Sequence, residues 1–197
     1  MSTQTATRRR YVLDHQTAEL FAEIAADPFA AMVVGVEAPG GYGKTAALDE
    51  VVRRYRQAGV EVVGAEALGG TGEALGTVGG VAVAIDDAHQ LPEAQVLQLC
   101  RLAEMPGVRL AVTYRPWPRS AAVVRLIATL RQRRPALLLA PFTTEQIVEL
   151  LAARFPAGLI AANRAALAES LRVQAGGVPR FVERLAGPED GSWLAGG

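Results

Sequence analysis

Lysine, cysteine and histidine are scarce in this sequence of 197 residues. Cys100 is the single cysteine, so no disulfide can form within the chain, and a reducing compartment fits. His15 and His89 are the only histidines, which argues against a zinc site held by protein side chains. No apolar run approaches the ~18 residues that a membrane helix requires, and the basic start of the chain lacks the apolar segment of a signal peptide. We therefore expect a cytoplasmic protein with no membrane segment.

Acidic and basic residues balance, with 20 of each, but they are unevenly distributed. Residues 61–100 carry six acids and neither Arg nor Lys, whereas residues 101–134 carry eight arginines and one acid. A basic stretch is one feature of nucleic-acid-binding proteins, but arginines on a solvated helix or at a subunit interface produce the same pattern. We favour the second explanation and expect no DNA contact by this chain.

Lys44 is the only lysine, and every other basic residue is an arginine. It lies in the segment Ala38-Pro39-Gly40-Gly41-Tyr42-Gly43-Lys44-Thr45, which fits the phosphate-binding pattern G-x-x-x-x-G-K-[ST] except that Ala38 replaces the first Gly. Glycines let backbone N–H groups turn towards a polyphosphate, and the following helix N-terminus adds partial positive charge. We expect Lys44 to bridge the terminal phosphates and the Thr45 hydroxyl to bind Mg²⁺. The alternative is a Gly-rich strand-to-helix turn without a ligand.

The pattern of apolar residues predicts an α/β fold. Short apolar runs, typical of strands buried on both faces of a parallel sheet, predict strands at 31–36, 60–63, 81–85, 108–113 and 136–140. Apolar residues at helical spacing predict helices at 14–27, 45–58, after Pro92 (with Cys100 in the core) and at 119–133. Residues 64–80 contain seven glycines and predict a loop with one short helix. Five strands alternating with helices indicate a five-stranded parallel sheet with right-handed crossovers.

The sequence changes character after Pro141. Residues 143–146, Thr-Thr-Glu-Gln, match a capping box, and the apolar residues beyond them fall on further helical segments. We expect a small all-helical domain at 142–187, following an α/β core at 14–141. We interpret residues 1–13 as a leader and residues 188–197 as a tail with too little apolar content to pack by itself.

Two acidic residues, Asp86 and Asp87, follow the apolar strand at 81–85. In a parallel sheet, ligands bind at the carboxyl ends of neighbouring strands, where these carboxylates meet the phosphate loop. We expect Asp86 to hold Mg²⁺ through water and Asp87 to orient or deprotonate an attacking water. An Asp where a Glu would reach ~1.5 Å further, by one bond's length, suggests slow hydrolysis. The alternative is that Asp87 and His89 only cap the following helix, and for His89 we favour capping or packing.

Arginines beyond the strands are further candidates. Arg115 directly follows the fourth strand, so its guanidinium can point at the terminal phosphate, although a surface arginine before two prolines is the alternative. Pro179 and Arg180 follow two glycines and either cover the base or phosphates or mark a helix stop followed by a helix start. For the arginines at 131–134 we favour solvated helix-end charge over contact with a neighbouring subunit's nucleotide.

These motifs together resemble those of the signal-transduction ATPases with numerous domains, the AAA+-related STAND group that includes the large ATP-binding LuxR-type transcriptional regulators. The resemblance covers roughly residues 8–187 and rests on the phosphate loop, Ile85-Asp86-Asp87-Ala88-His89, Arg115-Pro116 and Gly176-Gly177-Val178-Pro179. It implies an AAA+-like P-loop NTPase core with a helical lid, between which the nucleotide lies. It also implies that exchange of ADP for ATP opens an inhibited form and leads to self-association.

The resemblance implies ATP or ADP with Mg²⁺ as cofactors and assigns roles to individual residues. Catalytic roles fall on Asp87 and Arg115, and metal-binding roles fall on Thr45 and Asp86. The resemblance carries over Lys44, Thr45, Asp86, Asp87, Arg115 and Pro179 as site residues. From the phosphate-binding loop and the turn before the last helix, we also expect nucleotide contacts from Pro39, Gly40, Gly41, Tyr42, Gly43, Ala46 and Arg180. We therefore expect a Mg-ATP/ADP-binding switch with weak ATPase activity, either the ATPase portion of a longer LuxR-type regulator or a free-standing switch module.

Three other functions remain as alternatives. A module that binds nucleotide without hydrolysis differs only in the role of Asp87. A small-molecule kinase would also use a phosphate loop, but no separate acceptor-site pattern is evident in the sequence. A DNA-stimulated ATPase would use the arginines of 101–134 and would lose DNA affinity steeply with salt. No helix-turn-helix or winged-helix pattern follows the helical segment in this sequence.

Overall fold

A computed structural model describes residues 15–69, 81–155 and 163–187. The described residues divide into two compact units, 15–140 and 141–187. The predicted leader at 1–13 and tail at 188–197 lie outside the described residues, as does most of the Gly-rich segment at 64–80. In the described part of the chain, no helix is both long and apolar enough to cross a membrane.

The first unit is a five-stranded parallel sheet with flanking helices. Its elements in chain order are α1 (His15–Ala26), β1 (Met32–Glu37), α2 (Lys44–Gln57), β2 (Glu61–Val63), β3 (Val81–Ile85), α3 (Glu93–Glu104), β4 (Arg109–Tyr114), α4 (Ala121–Arg133) and β5 (Leu137–Leu138). The strand order is β2-β3-β4-β1-β5, and every pair is parallel. The predicted α/β class with a five-stranded parallel sheet is confirmed.

Strand register brings three loops to the same edge of the sheet. Val36 of β1 lies opposite Thr113 of β4, and Ile85 of β3 lies opposite Val112 of β4. The loops that follow β1, β3 and β4 therefore leave the sheet at the same level. This carboxyl edge is where sheets of this kind bind their ligands.

The core is built on β4, which is buried along its whole length because helices cover both faces of the sheet. Helices α3 and α4 pack against each other and contribute to one apolar cluster with the strands. Cys100 belongs to this cluster, as predicted, and burial raises the pKa of its thiol. The buried guanidinium of Arg109 donates a hydrogen bond to the carbonyl oxygen of Phe29 at 2.6 Å.

Some predicted element ends differ from the observed ones. Strand β5 has two residues, although residues 136–140 were expected to be extended, because this edge strand pairs only with Val36 and Glu37 of β1. Helix α4 begins after Ser120, whose hydroxyl accepts a hydrogen bond from the Val123 amide and thereby fixes the start. A short 3₁₀ helix at Ala65–Gly69 opens the Gly-rich segment.

The second unit is helical, with α5 (Thr144–Arg154), α6 (Arg164–Ala175) and α7 (Pro179–Leu185). Its start confirms the predicted capping box, since the Thr143 hydroxyl accepts from the Gln146 amide and the Gln146 side chain accepts from the Thr143 amide. The helices share one apolar core, whose buried members are Ile147, Leu151, Phe155, Ala168, Leu171, Ala175, Val182 and Ala186.

The turn between α6 and α7 uses two consecutive left-handed glycines. Gly176 has φ 60° and Gly177 has φ 69°. The Gly177 amide donates to the Arg172 carbonyl oxygen at 2.9 Å, and the Gly177 carbonyl oxygen accepts from the Phe142 amide at 2.7 Å. Pro179 then begins α7 at a position where no backbone donor is needed. The segment thus acts as a helix stop followed by a helix start.

Gly177→Ala is expected to destabilise the helical unit more than Gly176→Ala does. Both changes put a Cβ on a left-handed residue, which costs roughly 1–2 kcal/mol. A Cβ at Gly177 would also lie 2.8 Å from the Phe142 carbonyl oxygen, whereas one at Gly176 meets nothing within 4 Å. We expect the free energy of unfolding, measured by urea denaturation, to fall by about 1–3 kcal/mol more for the first variant. Equal losses would contradict this explanation.

Candidate functional site

The loop that follows β1 joins it to α2 through two left-handed glycines. Gly41 and Gly43 both have φ 87°, a conformation that residues with a side chain rarely adopt. Gly43 is also the N-cap of α2, and no side chain caps this helix. The amide groups at the start of α2 are therefore available to an anion.

Ala38 occupies the position where the phosphate-binding pattern has its first glycine. Its methyl group is buried, its amide donates to the Tyr114 carbonyl oxygen at 3.3 Å, and it is not among the residues with positive φ. The backbone at this position therefore does not require glycine. The departure of Ala38 from the pattern leaves the rest of the loop intact.

Lys44, the first residue of α2, is only 6% exposed. Its ammonium nitrogen donates to the Pro39 carbonyl oxygen at 3.3 Å and lies 3.5 Å from Oδ1 of Asp87. A nearly buried ammonium is costly unless its charge is met by polar or acidic groups. The positive charge thus lies between the start of the loop and the acidic end of β3.

Asp86, directly after β3, links the start of α2 to the end of β4. Its Oδ2 accepts a hydrogen bond from the exposed hydroxyl of Thr45 at 2.7 Å, and its Oδ1 accepts one from the buried hydroxyl of Thr113. A hydroxyl beside a carboxylate is the oxygen-donor set that Mg²⁺ uses together with substrate phosphates. Among the described residues, no group of three or more His, Cys, Asp or Glu side chains is arranged to hold a metal ion by itself. Thr45 and Asp86 therefore fit a cation that phosphates help to hold.

Asp87 has a left-handed backbone, with φ 47°. Its amide donates to the Thr113 hydroxyl at 2.8 Å and to Oδ1 of Asp86 at 3.0 Å. Such a conformation costs about 1–3 kcal/mol in a residue other than glycine and is concentrated at functional sites. Asp87 precedes the short 3₁₀ helix at Ala88–Gln90. Its Oδ2 accepts a hydrogen bond from the side-chain amide of Gln90 at 3.0 Å, but the Asp87 side chain accepts none from a backbone amide of that helix.

Three basic side chains surround the Asp87 carboxylate. Besides Lys44, Nη2 of Arg115 lies 3.9 Å from Oδ2, and Nδ1 of His89 lies 3.7 Å from Oδ1. Burial lowers the pKa of His89, and Arg115 and Lys44 lower it further, while Asp87 acts in the opposite direction. The His89 imidazole is therefore neutral at pH 7, as expected of a packed side chain.

Arg115 faces the phosphate-binding loop. Its guanidinium carbon lies 3.9 Å from the point where a Cβ on Gly40 would be. The sheet edge thus brings together Lys44, Thr45, Asp86, Asp87 and Arg115, five of the residues singled out from the sequence. Pro179 and Arg180 belong to the helical unit, where Pro179 is buried and Arg180 is exposed. Their contact with a nucleotide stays a prediction, as does that of Tyr42, Ala46 and the other residues of the phosphate-binding loop.

Arg131 and Arg134, two of the three arginines near the end of α4, are in ion pairs. Nη2 of Arg131 donates to Glu37 at 3.0 Å. Arg134 donates two hydrogen bonds to the carboxylate of Glu23, at 2.6 and 2.8 Å, and these lower the pKa of that carboxyl group. Both side chains therefore have partners within their own unit.

Thr113 is a site residue that the sequence did not reveal. It lies in the apolar run of β4, where a single threonine reads as ordinary strand composition. Only the register of β4 against β3 puts its hydroxyl between the carboxylate of Asp86 and the amide of Asp87. A threonine near the end of the strand beside an Asp-Asp pair is the signal that would have found it.

The architecture is an AAA+-like P-loop NTPase fold. RuvB from Thermotoga maritima, a Holliday junction branch migration motor, matches with TM-score 0.54 and 21% identity over 86% of this chain and 58% of RuvB. Orc1 from Aeropyrum pernix, in complex with DNA, matches with TM-score 0.53 and 17% identity over 89% of this chain and 60% of Orc1. This chain thus spans less than two thirds of either protein. No protein-family profile and no curated protein matches the sequence significantly.

Thr113→Val is expected to weaken the magnesium-dependent part of nucleotide binding by up to about 30-fold, because the Asp86 carboxylate and the Asp87 amide each lose a hydrogen bond worth about 1 kcal/mol. The measurement is the affinity for ATP with and without Mg²⁺. Thr129→Val is the matched control, because the buried Thr129 hydroxyl bonds to the Arg125 carbonyl oxygen within α4, away from the sheet edge. Equal effects of the two variants, or no effect of Thr113→Val, would show that Thr113 does not support the site.

Proposed function

We propose that this chain is a Mg-ATP/ADP-binding switch module with weak ATPase activity. The observation that carries the proposal is the position of Lys44. The only lysine of the chain is nearly buried in the phosphate-binding loop and faces Asp87 at 3.5 Å. A cation held there is suited to the terminal phosphates of a nucleotide.

The phosphate-binding loop is proposed to bind the polyphosphate, and the residues beside it to bind Mg²⁺. Left-handed Gly41 and Gly43 turn the chain so that the uncapped start of α2 receives a polyphosphate. Thr45 and Asp86 would hold Mg²⁺, which when bound neutralises phosphate charge. The AAA+ fold supports the use of nucleotide and Mg²⁺, and adenine as the base rests on the sequence resemblance.

Asp87 is proposed to orient, and to accept a proton from, the attacking water. Its carboxylate lies among Lys44, Arg115 and His89 at the end of β3. An aspartate reaches ~1.5 Å less far than a glutamate, by one bond's length, so the water is held less closely. This difference supports weak rather than fast hydrolysis.

Arg115 is proposed to detect the γ-phosphate. Its guanidinium faces both Gly40 and Asp87, so a terminal phosphate can replace the Asp87 carboxylate as its anionic partner. ADP lacks that phosphate and leaves Arg115 with Asp87. The two nucleotides thus stabilise different arrangements, as a switch requires.

The proposed context of the switch rests on the motifs. The phosphate loop, the Ile-Asp-Asp-Ala-His segment, Arg115-Pro116 and the turn at 176–179 support a STAND-type module, the ATPase portion of a LuxR-type transcriptional regulator. The expected output is self-association on ATP binding, and Pro179 and Arg180 stay candidate nucleotide contacts. These assignments go further than the similarity to RuvB and Orc1.

A DNA-stimulated ATPase is a second candidate, because the Orc1 match is a complex with DNA. Half of the eight arginines of 101–134 argue against it, since Arg109 is buried and the arginines at 119, 131 and 134 pair with acidic side chains. Phosphate release with and without duplex DNA, at low and moderate salt, separates the two. Stimulation that weakens steeply with salt would favour the DNA-dependent enzyme.

Lys44→Ala is expected to weaken binding of Mg-ATP by about 100-fold, because the loop loses its phosphate-directed cation. The measurement follows bound nucleotide and released phosphate in one sample of γ-labelled Mg-ATP. Arg56→Ala, on the exposed face of the same helix, is the matched control and should bind normally. Retained affinity in Lys44→Ala would contradict the proposed site.

The same assay separates hydrolysis from binding alone. Asp87→Asn keeps the shape of the side chain but removes its ability to take a proton. Slow release by the unmodified chain that disappears in Asp87→Asn supports the ATPase. Phosphate release no higher than that of Lys44→Ala in either protein would leave a binding module without hydrolysis, and equal release above that level would contradict the role of Asp87.

Arg115→Ala is expected to spare ADP binding and to lower ATP affinity by about tenfold or more, since a γ-specific charged contact is lost. Competition binding with both nucleotides gives the ratio of affinities. Arg101→Ala, an exposed arginine of α3, serves as the control. Equal losses for ATP and ADP would contradict the role of Arg115.

A further inference from the structure

The carboxylate of Glu37 connects the strand before the phosphate loop to two arginines. Glu37 is the last residue of β1, its side chain is 12% exposed, and it directly precedes Ala38. Its Oε1 accepts a hydrogen bond from Arg119 at 2.7 Å, and its Oε2 accepts one from Arg131 at 3.0 Å. A carboxylate so shielded from water depends on such partners, so both pairs are well held.

Arg119 lies in the β4–α4 loop, residues 115–120, which also begins with Arg115. Its side chain is 18% exposed, and its guanidinium stacks over the ring of Trp117, with 5.3 Å to the ring centroid. The β4–α4 loop is thus attached at one end by β4 and at the other by the contact of Arg119 with Glu37. Arg131, by contrast, reaches Glu37 from the last turn of α4.

Arg115 has weak contacts of its own. Its side chain is 42% exposed, and its ion pair with Asp87 is 3.9 Å long. Its Nε is buried without a hydrogen-bond partner among the described residues. The position of the Arg115 guanidinium therefore depends on where the β4–α4 loop holds its backbone.

We propose that Glu37 and Arg119 are positioning residues that hold Arg115 against the phosphate-binding loop and thereby set the preference for ATP over ADP. The inference rests on the proposed function of Arg115 as the γ-phosphate contact. Loosening the β4–α4 loop displaces the Arg115 guanidinium, and a displacement of about 1 Å at a charged contact costs up to about 100-fold. The glycines, Lys44 and the start of α2 do not lie on this loop, so ADP binding is kept.

The test compares ATP and ADP affinities in Glu37→Gln, Arg119→Ala and the control Arg131→Ala. We expect the first two to lower the ATP-to-ADP affinity ratio about tenfold, with ADP affinity changed less than about twofold. Arg131→Ala removes the other partner of Glu37 without touching the β4–α4 loop, so its ratio stays close to that of the unmodified chain. Arg119→Lys, which keeps a cation opposite Glu37, recovers most of the preference.

Trp117 supplies a readout that needs no nucleotide. Its side chain is largely exposed, and Arg119, which pairs with Glu37, lies over its ring. With Trp193, the second tryptophan, replaced by Phe, Glu37→Gln should increase acrylamide quenching of Trp117 fluorescence, whereas Arg131→Ala should not. Unchanged quenching in Glu37→Gln would overturn the inference.

The remaining outcomes separate the inference from the proposed function. An unchanged ATP-to-ADP affinity ratio in Arg119→Ala, together with a lowered ratio in Arg115→Ala, overturns the positioning role alone. The same conclusion follows if Arg119→Ala loses ATP and ADP affinity equally, or if Arg119→Ala and Arg131→Ala have equal effects. An unchanged ratio in Arg115→Ala overturns the proposed role of Arg115, and the positioning role with it. A double variant Arg115→Ala/Arg119→Ala with the same ratio as Arg115→Ala supports the inference, because both residues then act through one contact.

Discussion

Lys44, the only lysine of the protein, is nearly buried, and its ammonium group lies beside Asp87. A charge removed from water must be met by oxygen atoms, and here they are the Pro39 carbonyl and the Asp87 carboxylate. That requirement ties the loop after β1 to the loop after β3. The register of β4 against both strands makes the approach feasible, because all three loops leave the sheet at one level.

The surroundings of Asp87 follow from the same constraint. Its left-handed backbone is held by the Thr113 hydroxyl, and its carboxylate faces Lys44 and Arg115 together. A polyphosphate in the loop offers these two cations another anionic partner, so the charge balance around Asp87 differs between nucleotide states. The Glu37 carboxylate at the end of β1 also connects two segments. Through its hydrogen bond with Arg119 it joins β1 to the β4–α4 loop, which carries Arg115. A chain of short-range ion pairs thus links the phosphate loop to the residue proposed to distinguish ATP from ADP.

Much of the fold could be predicted because its elements are locally encoded. The runs at 31–36 and 81–85 are short, apolar and followed by turn or acidic residues, which is typical of buried parallel strands. Asp86 and Asp87 were placed beside Lys44 by one rule, that parallel strands share their carboxyl edge. β5 was predicted too long, because an apolar run does not show that a strand at the edge has a single neighbour.

What the sequence did not reveal depends on contacts between distant residues. Thr113 is indistinguishable from other strand residues until the β3–β4 register is known, and the partners of Glu37 lie 82 and 94 positions away. The left-handed backbone of Asp87 could not be predicted, because glycine is the residue that marks this conformation in a sequence. The assignments to Pro179, Arg180 and a LuxR-type context rest on motifs and stay predictions.

The most direct test of the central claim is the stability of the folded chain as Mg-ATP is added. A ligand that binds only the folded state raises the free energy of unfolding by about 1.4 kcal/mol for each tenfold increase above its Kd. Binding at the phosphate loop predicts this logarithmic rise for Mg-ATP and none for adenosine, which has no phosphates. A free energy of unfolding that is independent of Mg-ATP, or that rises equally with adenosine, would contradict the account.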